Sequence, residues 1–172
     1  MDREVIEMDK ADLIFLLDYS IWANQKLSDT AMGISPQQFM AACPTTYGSL
    51  RGLLVHILVA HQVWRSRCCD GSLPARFPAH EEFPDYASYA KALTAEESAW
   101  RSYLQEMPEQ DVQREVVYYT SRGEQYQTAL WQIVLHLVIH TTQHRSEAAE
   151  VLTQMGYSPG DLDLIWYLRR VV

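Results

Sequence analysis

Positive charge is scarce in this chain. Its 172 residues carry 14 Lys+Arg against 22 Asp+Glu, a formal net charge of −8. Such a surface on average repels a phosphate backbone and an anionic bilayer, so neither nucleic acid nor a membrane is an expected partner. Cysteine is sparse too. Cys43, Cys68 and Cys69 form an odd set with two neighbours in sequence, which fits neither a disulfide framework nor a spaced metal knuckle. Free thiols in a reducing cytoplasm are the expectation, with a Cys68–Cys69 redox pair as the alternative. The opening MDREVIEMDK has no apolar h-region, so no secretory leader is expected. The apolar stretches reach helix length but are interrupted by His, Arg or Gln, which argues against a transmembrane span. There is no internal repeat and no low-complexity tract. What remains reads as one soluble domain over residues 1–172, with 48% apolar and 21% charged residues, long enough to bury a real core.

The pattern of that core is helical. Leu13, Leu16, Leu17 and Ile21 recur at helical spacing and predict a helix over 10–29. Ser35-Pro36 marks the start of a brief second helix. GSLRGLLVHILVAHQVWRSRCC, residues 48–69, predicts a more fully apolar helix in the middle of the fold. Gly71, Pro74, Pro78 and Pro84 make 70–84 a loop, and a further helix follows over 85–106, ending before Pro108. Residues 114–128 carry β-branched and aromatic side chains around Arg122-Gly123 and read as a small β-hairpin. A long helix over 129–155 ends at Gly156, and a short last helix over 160–170 follows Ser158-Pro159. Asp161 and Asp163 in its first turn and Arg169 and Arg170 in its last suit the helix dipole. Four long amphipathic helices with short extras predict an all-α four-helix bundle.

Half of the six histidines fall on one of those helices, as His136, His140 and His144. On a wheel of about 100° per residue with Ile133 at zero, His140 lies near −20° and His144 near +20°, at the centre of the stripe of Leu137, Val151 and Met155. His136 falls near −60°, at the stripe's edge beside Gln143 and Glu147. Two imidazoles on adjacent turns, about 6 Å apart along the axis, can grip one metal ion from a rigid backbone. Buried without a metal they need a hydrogen-bond network instead, because an unpaired ring nitrogen is costly in a core. A third ligand must come from elsewhere. The helix over 48–69 offers His56 and His61, about 140° apart on the wheel, and periodicity does not choose between them. His80, in the Pro-rich loop, is expected at the surface.

Four segments together resemble the DinB-like family of metalloenzymes, in the right order and over nearly the whole chain. DYSIWANQKL is similar to that family's first-helix signature, and GSLRGLLVHILVAHQVW to its second-helix motif. LHLVIHTTQHR resembles its most diagnostic segment, an HxxxHR, and SPGDLDLIWYL its C-terminal short helix. The resemblance implies up-down-down-up connectivity, frequent homodimers, and a divalent ion, zinc or nickel, bound by three histidines. Position by position it implies His56, His140 and His144 as the metal ligands. His61 stands where many members carry Glu, and Ser146-Glu147 where many carry Gly-Gln, so no substrate preference carries over.

Three neutral imidazoles leave a coordination position open, which suits acidifying a water or activating a thiolate. All-imidazole ligation does not separate zinc from nickel. The expectation is therefore a metal-dependent enzyme acting on a small molecule, of the thiol-dependent S-transferase or hydrolase type, with a low-molecular-weight thiol as candidate partner. The alternatives are a non-catalytic metal- or ligand-binding bundle and a structural dimerisation protein. No general acid or base is assigned. His136 is a candidate proton shuttle or partner to the site, or a cap on the bundle edge. Arg145, near +120° on the wheel, is expected in a salt bridge away from the metal. Tyr118, Tyr119 and Tyr126 either cover a pocket mouth or pack, and Trp64 and Trp131 are expected in the core.

Overall fold

The first four helices start where a side chain can close their first turn. Asp9 and Asp12 form a capping box at the start of α1 (Lys10–Ala31). Ser35 and Gln38 form another ahead of α2 (Pro36–Met40), with proline in its first turn. Ser49 Oγ accepts from Gly52 N at the head of α3 (Leu50–Asp70), and Asp85 from Ser88 N at the head of α4 (Tyr86–Glu106). The hairpin follows, with β1 (Glu115–Tyr119) paired antiparallel to β2 (Gln125–Ala129) and Tyr118 opposite Tyr126. α5 (Leu130–Gln154) has no side-chain cap; instead Leu130 N donates to Arg114 O at 2.9 Å. The hairpin base thus sets where α5 begins. α6 (Leu164–Leu168) closes the order. The computed structural model describes residues 8–120 and 122–169.

The chain is mostly helical, with one small hairpin, as its patterning predicts. α1 packs against α4 and α5, and α3 packs against the same two. Several expected details shift. Single 3₁₀ turns interrupt the expected loops at His80–Glu82 and Glu109–Gln113. The last helix begins at Leu164, not 160, because Gly160 sits at φ +70 and breaks the helical path. Asp161 therefore precedes the helix and Asp163 stands at its N-cap, while Arg170 lies outside the described residues. Most of MDREVIEMDK lies outside them as well.

Two apolar clusters fill the interior. One gathers Phe39, Leu53, Leu54, Leu58, Tyr86, Tyr89 and Leu152, and the other Leu13, Leu17, Trp100, Leu104, Leu130, Ile133 and Leu137. Between them, at mid-length of the long helices, lies a buried polar layer: Ser20 and Asn24 on α1, His61 on α3, Glu97 on α4, and Thr141, His144 and Arg145 on α5. No helix is long and apolar enough to cross a membrane among the described residues.

Candidate metal centre

The polar layer corrects the helical wheel. Thr141 and Arg145 are almost wholly buried on α5 alongside Val134, Val138 and Leu152, so the buried stripe centres about 45° further round than Ile133, Leu137, Val151 and Met155 suggest. His144, 5% exposed, stays inside it, whereas His140 moves from the expected centre to a half-buried edge and His136 is exposed. Across from that edge lies His56 on α3, also half-buried. His61 faces the other way. It is 1% exposed, its Nε2 meets Thr141 Oγ1 at 3.0 Å, and its backbone carbonyl accepts from Trp100 Nε1 at 3.0 Å.

The structure thus brings together His56, His140 and His144 and leaves out His61, His80 and His136. One ring nitrogen from each of the three lies within 4.8 Å of the others, and among the described residues no other group of His, Cys, Asp or Glu has this convergence. His56 Nε2 and His140 Nε2 are 3.1 Å apart. Ring centroids stand 5.0 Å apart for His56–His140, 4.8 Å for His56–His144 and 4.6 Å for His140–His144. Two nitrogens bound to one ion at about 2.0–2.1 Å sit about 2.9–3.4 Å apart in octahedral or tetrahedral geometry, so the observed separation fits a shared ion. A third ligand on the same side completes a set that could hold a metal.

Burial favours the neutral form of the His140 and His56 rings, the form a metal requires. Burial, then the His144, His56 and His136 rings, lowers His140 to about 4. Burial and then His144 lower His56 as well, against a smaller opposing pull from Glu147. His144 is tied from outside: its Nδ1 meets Glu147 Oε1 at 3.0 Å. Burial raises the Glu147 carboxyl, but hydrogen bonds from Thr46 and His144 outweigh it and hold Glu147 below the usual range. As an ionised carboxylate can only accept, His144 Nδ1 is the donor. His140 Nδ1, by contrast, is buried with no hydrogen-bond partner.

A roof comes from the segment between α2 and α3. Tyr47 stacks on His56 with centroids 4.1 Å apart and planes 20° apart, and meets His144 edge-on at 5.5 Å. Neither Tyr47 nor Thr46 is flagged by any periodicity, because a turn sets them. Glu147 carries a local signal, a carboxylate three residues after a histidine on one helix face, although the wheel assigned it to the neighbourhood of His136. His136 instead packs between Trp64 and His140, at 5.2 and 5.7 Å. Trp64 and Tyr118 meet edge-on, and Arg67 lies over both rings, so Tyr118 packs while Tyr119 and Tyr126 stay exposed. Trp64 and Trp131 are partly buried against the second apolar cluster.

Arg145 departs from expectation. It is 2% exposed, and its guanidinium donates to Ser20 O, Ser20 Oγ, Asn24 Oδ1 and Thr142 Oγ1. Its link to a carboxylate is indirect, since Asn24 Nδ2 donates in turn to Glu97 Oε1 at 2.7 Å. Burial pushes Glu97 up to about 7, held back by Asn24 and Arg145. Cys68 is buried, and burial lifts its thiol to about 12, while Cys69 is exposed, so the two thiols do not share one environment. A cavity of about 650 Å³ lies apart from the histidines, between α3, the 74–83 loop and α4. Its charged groups already engage one another, Arg65 with Glu96 at 2.6 and 2.9 Å and Arg76 with Glu82, so the histidine cluster is the better chemical centre.

A family model described as the DinB family matches residues 8–170. Among solved structures the chain is similar to a DinB-like protein from Bacillus cereus ATCC 10987, with a TM-score of 0.58 and 16% identity over 85% of this chain and 94% of that one. At that identity the likeness concerns the fold. No curated protein matches the chain.

Proposed function

The chain belongs to the DinB family, and from that premise we propose that His56, His140 and His144 hold one divalent ion, zinc or nickel, in a metal-dependent enzyme acting on a small molecule. The observation that carries this reading is the convergence of three ring nitrogens within 4.8 Å, with two of them 3.1 Å apart. His56 and His140 lie at the half-buried edge between α3 and α5 while His144 is buried, so the site is reachable from solvent through the first two. An ion held there supplies Lewis acidity to a substrate oxygen or sulfur. Thiol-dependent S-transfer and hydrolysis are the two reaction types this suits, with a low-molecular-weight thiol as co-substrate in the first. His136, exposed beside His140, is the residue placed to move a proton at the rim. The same reading takes residues 1–172 as one up-down-down-up four-helix bundle, cytoplasmic and paired as a homodimer.

Metal content of untagged protein tests the core of it. One equivalent of zinc or nickel per chain is expected, lost in His56→Ala, His140→Ala and His144→Ala. Wild-type protein that takes up neither metal on incubation would sink the assignment. Panels of thiol conjugates, esters and amides then separate the reaction types, since true turnover must disappear on chelation and return with metal. Full occupancy with no turnover of either kind would favour a binding module instead. Light scattering reads the dimer directly.

A further inference from the structure

One carboxylate touches both halves of the candidate centre. Glu147 Oε1 receives His144 Nδ1 at 3.0 Å, while Oε2 accepts the Thr46 hydroxyl at 2.9 Å and the Thr46 amide at 3.5 Å. Thr46 belongs to a tight turn. Ala42 pairs with Ser49 in an antiparallel bridge, Cys43 N donates to Gly48 O at 3.0 Å, and Gly48 N donates to Thr45 O at 3.1 Å. Gly48 takes φ +72, which favours glycine, and delivers the chain into the Ser49 cap of α3. The next residue after Thr46 is Tyr47, whose ring lies on His56.

A neutral imidazole has two tautomers, and only the one protonated at Nδ1 presents an Nε2 lone pair. A hydroxyl or a water beside Nδ1 could serve either tautomer, because each both donates and accepts. A carboxylate only accepts. We infer that Glu147 is a positioning residue: it holds His144 in the Nδ1–H tautomer and, with its other oxygen, fastens the Thr46–Tyr47 turn so that Tyr47 roofs His56. His144 is the ligand candidate that needs this, as the ring joined edge-on to Tyr47, His56 and His140 at once. The consequence for metal affinity rests on the metal reading above, whereas the tautomer and the seating of the turn do not.

The test uses full-length wild type, Glu147→Ala, Glu147→Gln and Thr46→Val. The Glu147 side chain is 28% exposed, so these variants keep the core intact. Long-range ¹H–¹⁵N correlation spectra of metal-free, histidine-labelled protein read the tautomer. The wild type is expected to show His144 protonated at Nδ1, Glu147→Ala to shift it towards Nε2–H, and Glu147→Gln to fall between. Thr46→Val is expected to keep the tautomer but to lose the ring-current shift that Tyr47 imposes on His56. Competition for zinc with a chelator should show Glu147→Ala weakened about 10–100-fold, the size expected for removing a ligand's hydrogen-bond partner, and Thr46→Val much less. An unchanged His144 tautomer in Glu147→Ala would overturn the inference, as would zinc affinity equal to wild type in that variant. If the wild type binds no zinc, the metal reading fails, and the tautomer and ring-current results alone decide the role of Glu147.

Discussion

Tyr47 lies flat on His56, 4.1 Å between ring centroids, because Gly52 leaves room for the Tyr47 carbonyl. A Cβ at position 52 would stand 2.4 Å from that oxygen. Gly52→Ala must therefore push the turn away from α3. Overpacking of this kind costs about 1–3 kcal/mol. The expected result is a lower midpoint in urea together with loss of the ring-current shift on His56. A variant with wild-type stability and an unchanged His56 spectrum would show that the turn does not depend on Gly52.

His61 makes stability depend on pH. Burial first, then the Arg145 charge and His140, lowers its folded pKa from 6.5 to about 3. Below pH 6.5 the unfolded chain gains a proton at this ring that the folded protein refuses. The stabilisation is thus fully present above that pH and is lost as pH falls from 6.5 towards 3, by the order of 1 kcal/mol per pH unit. Chelator-treated wild type is expected to show this slope in urea titrations between pH 7 and 4. His61→Leu removes one titrating group and should make the slope shallower, with His140, lowered to about 4, keeping its share; an identical slope would assign the acid sensitivity to other residues.

Arg145 and Glu97 should not be equivalent. The Arg145 guanidinium serves Ser20, Asn24 and Thr142 at once, whereas Glu97 reaches the network through Asn24. Arg145→Met leaves several acceptors and a buried carboxylate without their cation, a loss of about 3–5 kcal/mol when a buried charge loses its partner. Glu97→Gln keeps an acceptor for Asn24 and should cost clearly less. Denaturant unfolding at pH 8, where Glu97 is ionised, ranks the two, and the reverse order would contradict the network as described.

The same buried layer explains what could and could not be read in the sequence. The helices were legible because Leu13, Leu17 and Ile21, Leu53, Ile57 and Ala60, and Ile133 and Leu137 each recur with helical period, and the hairpin because Val116 to Tyr119 and Tyr126 flank Arg122-Gly123. His140 and His144 were legible as an i, i+4 pair. Their exact burial was not, since a wheel centred on Ile133, Leu137 and Val151 passes over Val134, Val138 and Leu152, which are buried further round the helix together with Thr141 and Arg145. The choice between His56 and His61 depends on which side of α3 faces the half-buried edge of α5, a matter of tertiary packing. Tyr47 and Thr46 reach the site through a turn closed by Gly48, which no periodic pattern announces.

The clearest discrimination between the two α3 histidines comes from stability linked to metal. An ion that binds only the folded chain stabilises it by about 2.7 kcal/mol at a free concentration one hundred times its dissociation constant. Wild-type protein is therefore expected to melt at a higher temperature as free zinc is raised through buffered steps. His56 Nε2, 3.1 Å from His140 Nε2, belongs to the convergent set, so His56→Ala should lose the zinc-dependent shift. His61 Nε2 is committed to the buried Thr141 Oγ1 and lies outside the convergent set, so His61→Leu should start from a different melting temperature yet keep the full shift. The baseline reports core packing and the zinc-dependent increment reports ligation, so the two roles are read from one melting series. A shift kept in His56→Ala and lost in His61→Leu would reverse the assignment of the third ligand.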